Sequence, residues 1–201
     1  MTTTDAMRLQ AGESSRDLTP LFAPKSLAII GASDDPGKFG FSLTRGALRG
    51  EHRRSVYLVN QGSARVAGRP AYRSLTDLDV VPELAVLAAP AAAVSSVVDE
   101  ALALGTRAFI GITAGIPEEV ESAIAARIRA AGAVLVGPNC IGVADASTDL
   151  DLFAWGWFDP GSVAILSQSG ALAMDIGRGV SDAGIGVSRV VSMGNCADLQ
   201  P

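Results

Sequence analysis

From Leu21 onward, short apolar runs alternate with longer amphipathic stretches. Ser26-Leu27-Ala28-Ile29-Ile30, Val56-Tyr57-Leu58-Val59, Leu84 to Ala88, Arg107 to Ile112 and Ala133 to Val136 are runs of the kind that a parallel sheet buries on both faces. Between them, Phe39 to Leu48, Ala91 to Leu104 and Pro117 to Ala131 carry helical patterns, with a shorter helix expected at Ser74 to Leu78. Pro90 suits a first helical turn, whose N–H groups are unpaired anyway. Glu118, Glu119 and Glu121 at the start of the last helix, and Arg127 and Arg129 near its end, match the helix dipole. The fold class is therefore α/β: an open parallel sheet with helices on both faces, whose ligand lies at the carboxyl ends of the strands.

The pattern then changes. Ala144 to Pro160 reads as an irregular linker pinned by Leu152, Phe153, Trp155, Trp157 and Phe158. Val163 to Leu166 is a strand, Ser167-Gln168-Ser169-Gly170 breaks it, a helix runs to about Ala183, and Val187 to Val191 is a further strand. One βαβ unit cannot bury both faces of a sheet, so a second domain is expected to be incomplete at Pro201, its edge strand calling for a partner or a dimer. Met1 to Pro20 is polar and aperiodic and is expected to be a disordered tail. The expected division is 1–20 tail, 21–146 first domain, and 147–201 linker and partial second domain.

Composition narrows the function. The 201 residues carry 48% hydrophobic residues, 5% aromatics and 22 glycines, which fits small-residue helices packed on strands. A net charge of −5 with scattered basic residues argues against a nucleic-acid surface. No apolar run approaches the roughly 20 residues of a membrane span. Two cysteines far apart in sequence suggest no disulfide framework, so the expected compartment is the cytoplasm.

Three segments carry candidate chemistry. Gly31-Ala32-Ser33-Asp34-Asp35-Pro36-Gly37-Lys38-Phe39-Gly40 links the first strand to the first helix, the βα arrangement that brings backbone N–H groups to a phosphate. It is not a G-x-G-x-x-G loop, and the second strand ends in Asn60 where a dinucleotide fold usually has an acid for the ribose, which counts against NAD. Lys38 and Arg45 suit a more phosphorylated nucleotide; alternatively, the glycines only let the chain turn and pack. Gly137-Pro138-Asn139-Cys140-Ile141-Gly142 places an amide and a thiol at the end of the fifth strand, although a lone buried cysteine is usually inert packing. Ser167-Gln168-Ser169-Gly170 opens a helix whose first N–H groups could take a phosphate or carboxylate, unless a serine there is simply an N-cap.

Taken with Thr113-Ala114-Gly115 and Ser192-Met193-Gly194-Asn195-Cys196-Ala197-Asp198, these segments resemble the CoA-binding half of the nucleoside-diphosphate-forming acyl-CoA synthetases. That superfamily includes succinyl-CoA synthetase α subunits and ADP-forming acetyl-CoA synthetases. The resemblance spans about Leu21 to Asp198 and implies a Rossmann-like CoA-binding domain followed by the first part of a flavodoxin-like ligase domain. It implies that Gly31, Ala32, Ser33, Pro36, Gly37, Lys38 and Gly40 hold the CoA phosphates, with Asn60 beside them. Ala89 and Pro90 would lie on the pantetheine side, Thr113 and Ala114 would line the same cleft, and Asn139 and Cys140 would sit near the thiol. Ser167, Gln168, Ser169 and Gly170 would receive the phosphate of a phosphohistidine loop.

In such enzymes a nucleotide phosphorylates a histidine, phosphate passes to the carboxylic acid, and CoA thiolate displaces it from the acyl phosphate. The single histidine, His52, lies in the charged run Arg49-Gly50-Glu51-His52-Arg53-Arg54, matches no phosphohistidine motif and reads as a surface residue. No catalytic residue or metal ligand is therefore expected in this chain. ATP or ADP with Mg would act only through a partner, an ATP-grasp subunit or domain, in a homo- or hetero-oligomer. Gln61 stands where the family often has proline, which weakens the Asn60 assignment. The alternatives are a non-catalytic CoA-binding module and an NAD-binding Rossmann protein. A serine hydrolase fails because the G-x-S-x-G elbow and a suitably placed histidine base are missing.

Overall fold

A computed structural model describes residues 16–154 and 156–200. Strands β1 (Ser26–Ile30), β2 (Ser55–Val59), β5 (Leu84–Leu87), β6 (Ala108–Gly111) and β7 (Val134–Val136) form one parallel sheet in the order β2-β1-β5-β6-β7. The order reverses between β1 and β5, where such a sheet opens its ligand crevice. Two short strands, β3 (Arg65–Val66) and β4 (Arg69–Pro70), pair beside it. The helix expected at Ser74 to Leu78 is a 3₁₀ turn, Leu75–Asp77, closed by a Ser74/Asp77 capping box.

Period-two alternation of side chains splits each strand between two cores. Ala28, Ile30, Ala85, Leu87 and Phe109 face helices α3 (Ala91–Leu104) and α4 (Glu118–Ala130), meeting Val94, Val98, Ile124 and Ile128. Leu27, Ile29, Val86 and Ile110 face the other way, toward helix α2 (Phe39–Arg49) and residues of a second sheet.

That second sheet corrects the expectation of an irregular linker. Strands β8 (Gly142–Asp145) and β9 (Leu150–Phe153) form an antiparallel hairpin, and the sheet runs β10-β11-β8-β9, with β10 (Pro160–Ser167) and β11 (Val187–Ser192) parallel around helix α5 (Gly170–Asp182). Leu150, Leu152 and Val143 of the hairpin enter the core under β1 and β5, so this face of the first sheet is covered by α2 and strands together. Gly46 on α2 lies against the Asp151 backbone so closely that a side chain would collide with its carbonyl oxygen. Phe153 and Phe158 do pin this region, with ring centroids 5.5 Å apart, whereas Trp157 is exposed and Trp155 lies outside the described residues.

The hairpin turn is built around Asp145, which is buried. Its carboxylate accepts hydrogen bonds from the Ser147 backbone N–H at 2.9 Å, the Ser147 hydroxyl at 2.6 Å and Arg189 Nε at 2.6 Å. The Arg189 guanidinium also lies over the Phe22 ring, 4.0 Å from its centroid. Phe22 belongs to a short helix, α1 (Thr19–Phe22), whose Leu21 is buried, and Arg16 donates to Asp198 at 2.7 Å and to the Ala133 carbonyl at 2.9 Å. Residues 16–20 are thus docked rather than disordered; the remainder of the expected tail, residues 1–15, lies outside the described residues.

No helix among the described residues is long and apolar enough to cross a membrane. The first sheet is buried almost throughout, but β10 and α5 leave Leu166, Leu172 and Ile176 exposed, as is Ile185 just after them.

Candidate functional site

The first glycine loop is shaped by contact. Gly31 has φ +91°, and a Cβ there would run into the Ala88 carbonyl; at Gly40 it would run into the Gly31 carbonyl oxygen. The start of α2 is therefore pressed directly against the end of β1, which only glycine permits.

Side chains then hold the loop from within. Ser33 Oγ accepts from Asp35 N–H at 3.0 Å, and Asp35 Oδ1 accepts from Gly37 N–H at 2.9 Å. Asp34 Oδ1 accepts from Ala67 N–H at 2.8 Å, tying the loop to the β3–β4 ribbon. Ala32 and Ser33 are buried, whereas Pro36, Gly37 and Lys38 are exposed, and Lys38 Nζ lies 3.9 Å from Asp35. No side-chain hydrogen bond caps α2 at Lys38, and Phe41 N–H turns back onto the Lys38 carbonyl at 3.0 Å.

Asn60 is occupied internally. Its Nδ2 donates to the Ala32 carbonyl at 2.7 Å and its Oδ1 accepts from Gly62 N–H at 2.8 Å, so both ends of the amide brace the loop. The Asn60 side chain itself offers a ribose no carboxylate.

Ala89, Pro90, Thr113 and Ala114 follow β5 and β6 at the same sheet edge. Thr113 donates its hydroxyl to the Ala89 carbonyl at 2.7 Å, joining the two strand ends. Asn139 then closes the row, its backbone N–H donating to the Thr113 carbonyl at 3.0 Å and its own φ at +56°. Cys140 turns inward beside Asn139. It is 3% exposed within the apolar core, and burial pushes its thiol up to about 12.

Two residues that sequence reading missed belong to this edge. Glu121 reads as one of three first-turn acids on α4, yet it is buried and accepts from Asn195 Nδ2 with both oxygens, at 2.9 and 3.0 Å. Asn195 Oδ1 in turn accepts from Asn139 Nδ2 at 3.1 Å. The signal was present in the helix period: Glu121 shares a face with Ile124, Ala125 and Ile128, all buried.

The loop after β11 brings the third segment in. Met193 N–H donates to the Ser167 carbonyl, Gly194 N–H to the Gln168 carbonyl and Asn195 N–H to the Pro138 carbonyl. Ser167 to Gly170 therefore sits against the same loop that holds Asn139. Ser169 is the N-cap of α5, its hydroxyl accepting from Leu172 N–H at 3.3 Å, while the Ser167 hydroxyl donates to the Ser169 carbonyl at 2.9 Å. His52 lies far from this edge in sequence and contact, exposed and 3.4 Å from Asp149.

Comparison with known proteins gives this edge a family. Residues 25–146 match the CoA binding domain model, and residues 160–201 match the succinyl-CoA ligase like flavodoxin domain. The chain is 34% identical over 182 residues to an ADP-forming acetate–CoA ligase of Methanocaldococcus jannaschii, covering 88% of this chain and 26% of that one. It is also 34% identical to the α subunit of ADP-forming acetate–CoA ligase I of Pyrococcus furiosus, covering 90% of this chain and 42% of the subunit. Among solved structures, the apo acetyl-coenzyme A synthetase 1 of Ca. Korarchaeum cryptofilum superposes with a TM-score of 0.86 at 32% identity, over 92% of this chain and 42% of that one. The chain thus spans less than half the length of these relatives. With its Rossmann-like sheet followed by flavodoxin-like strands, it belongs to the CoA binding domain family.

Proposed function

We propose that this chain is the CoA-binding part of an ADP-forming acid–CoA ligase. The observation that carries this reading is the convergence of the Gly31–Gly40 loop, the Ala89-Pro90 and Thr113-Ala114 strand ends and Asn139 along one edge of the parallel sheet. CoA lies along that edge. Its phosphates meet Gly37, Lys38 and the N-terminal end of α2, where the helix dipole favours an anion. Its pantetheine arm passes Ala89, Pro90, Thr113 and Ala114, and its thiol ends near Asn139.

The thiolate of CoA attacks the carbonyl carbon of an acyl phosphate, the C–S bond forms, and inorganic phosphate leaves. The helix mouth at Ser167 to Gly170, one loop away from Asn139, receives that phosphate, consistent with the acetate–CoA ligase activity of the relatives. Cys140, held protonated by burial, does not compete as a nucleophile. The phosphohistidine and the nucleotide-binding ATP-grasp part come from outside these residues, and the exposed Leu166, Leu172, Ile176 and Ile185 support further structure packing there.

The phosphate assignment is tested by calorimetric titration of CoA into the chain and into Lys38→Ala. Lys38 is exposed and its pairing with Asp35 is loose, so the substitution leaves stability nearly unchanged. It is expected to weaken CoA binding several-fold, less so at high salt. Undiminished affinity would move the phosphates away from this loop.

A further inference from the structure

We propose that Glu121 is a positioning residue that sets which end of the Asn139 amide faces the ligand cleft, a role that rests on the CoA reading. Glu121 is 8% exposed and, among the described residues, makes no ion pair; its recorded partner is the amide of Asn195. A carboxylate only accepts hydrogen bonds, so Asn195 must turn its NH₂ toward Glu121 and its Oδ1 toward Asn139. Asn139 must then give its NH₂ to Asn195, at 3.1 Å, which leaves its own Oδ1 as the free end. The backbones of both asparagines are tied down, Asn195 N–H to Pro138 and Asn139 N–H to Thr113, so rotation of the amides is the freedom that Glu121 removes. Asn139 is exposed at the strand end, and its Oδ1 is thereby presented as an acceptor. The pantetheine arm carries amide N–H and thiol S–H donors that such an acceptor can take.

Glutamine has the same shape as glutamate but can also donate, so Glu121→Gln lets the relay run in either direction. The test is the affinity of CoA and of 3′-phospho-ADP, which lacks the pantetheine arm, for the wild type, Glu121→Gln, Asn195→Ala, Asn139→Ala and the Glu121→Gln/Asn139→Ala double variant. Glu121→Gln and Asn195→Ala are expected to weaken CoA about tenfold, the scale of one hydrogen bond, and to leave 3′-phospho-ADP unchanged. The double variant should bind CoA no worse than Asn139→Ala alone. Equal loss for both ligands would mean a merely structural role, and additive losses or unaltered CoA affinity would overturn the relay while leaving the CoA site intact. If Glu121→Gln does not fold, Asn195→Ala, which breaks the link between Glu121 and Asn139, decides: unaltered CoA affinity in that variant overturns the relay. A wild type that binds neither ligand would overturn the CoA reading and this role together.

Discussion

Cys140 illustrates how far a residue type can be separated from its chemistry by burial. With its thiol pushed to about 12, the thiolate fraction at pH 8 is on the order of one part in ten thousand. Alkylation of the native chain with iodoacetamide at pH 8 is therefore expected to spare Cys140 and to react at the half-buried Cys196, with both labelled after unfolding. Rapid labelling of native Cys140 would contradict its placement. Gly40 is the reverse case, a residue without a side chain that decides the shape of the loop. Gly40→Ala drives a Cβ into the Gly31 carbonyl oxygen and is expected to cost about 2–3 kcal/mol in urea unfolding; an unchanged midpoint would mean that α2 and β1 are not in this contact. The glycines at 31 and 40 were legible from spacing alone. What was not legible was the use of Asn60 and Glu121, whose partners, Ala32 and Asn195, are distant in sequence, whereas an N-cap role for a serine at the α5 turn was already one of the open readings.

The elements were legible where the period was regular. The strands and helices of the first sheet follow the apolar runs to within a residue or two, since burial on both faces leaves no polar position to confuse the pattern. The hairpin β8–β9 was missed because its turn signals, Asp145, Ser147 and Asp149, look like those of a loop, and its strands are only four residues each. Its stability depends on Asp145. Burial alone would raise this carboxyl, but hydrogen bonds from Ser147 and the Arg189 guanidinium outweigh it and hold the group below its ordinary value. A depressed acid contributes stability above its unfolded value of about 3.9 and loses it as pH falls through the lower folded value. Asp145→Asn leaves the half-exposed Arg189 guanidinium without its carboxylate and is expected to cost about 1–2 kcal/mol at pH 7. The difference between wild type and variant, followed by chemical denaturation, should shrink as the pH is lowered below about 4. A difference that is flat with pH would remove Asp145 from its ionic role.

At the scale of the whole molecule, the two sheets are joined more closely than a linker would allow. The hairpin of the second sheet fills the core beneath the first, Arg16 and Arg129 both bind Asp198, and the loop after β11 stacks against the strand-end edge. The strand-end edge and the turn at Ser167 to Gly170 are thereby held in one frame, with the exposed Leu166 and Leu172 flanking that turn. Thermal unfolding of the chain with CoA, NAD or ATP at equal concentration tests the central claim most directly. A ligand at about 100 times its dissociation constant adds roughly 2.7 kcal/mol, which for a chain of this size raises the midpoint by about 5–11 °C. CoA is expected to give a shift of that order, with NAD and ATP giving little; a shift with NAD alone, or none with CoA, would contradict the account.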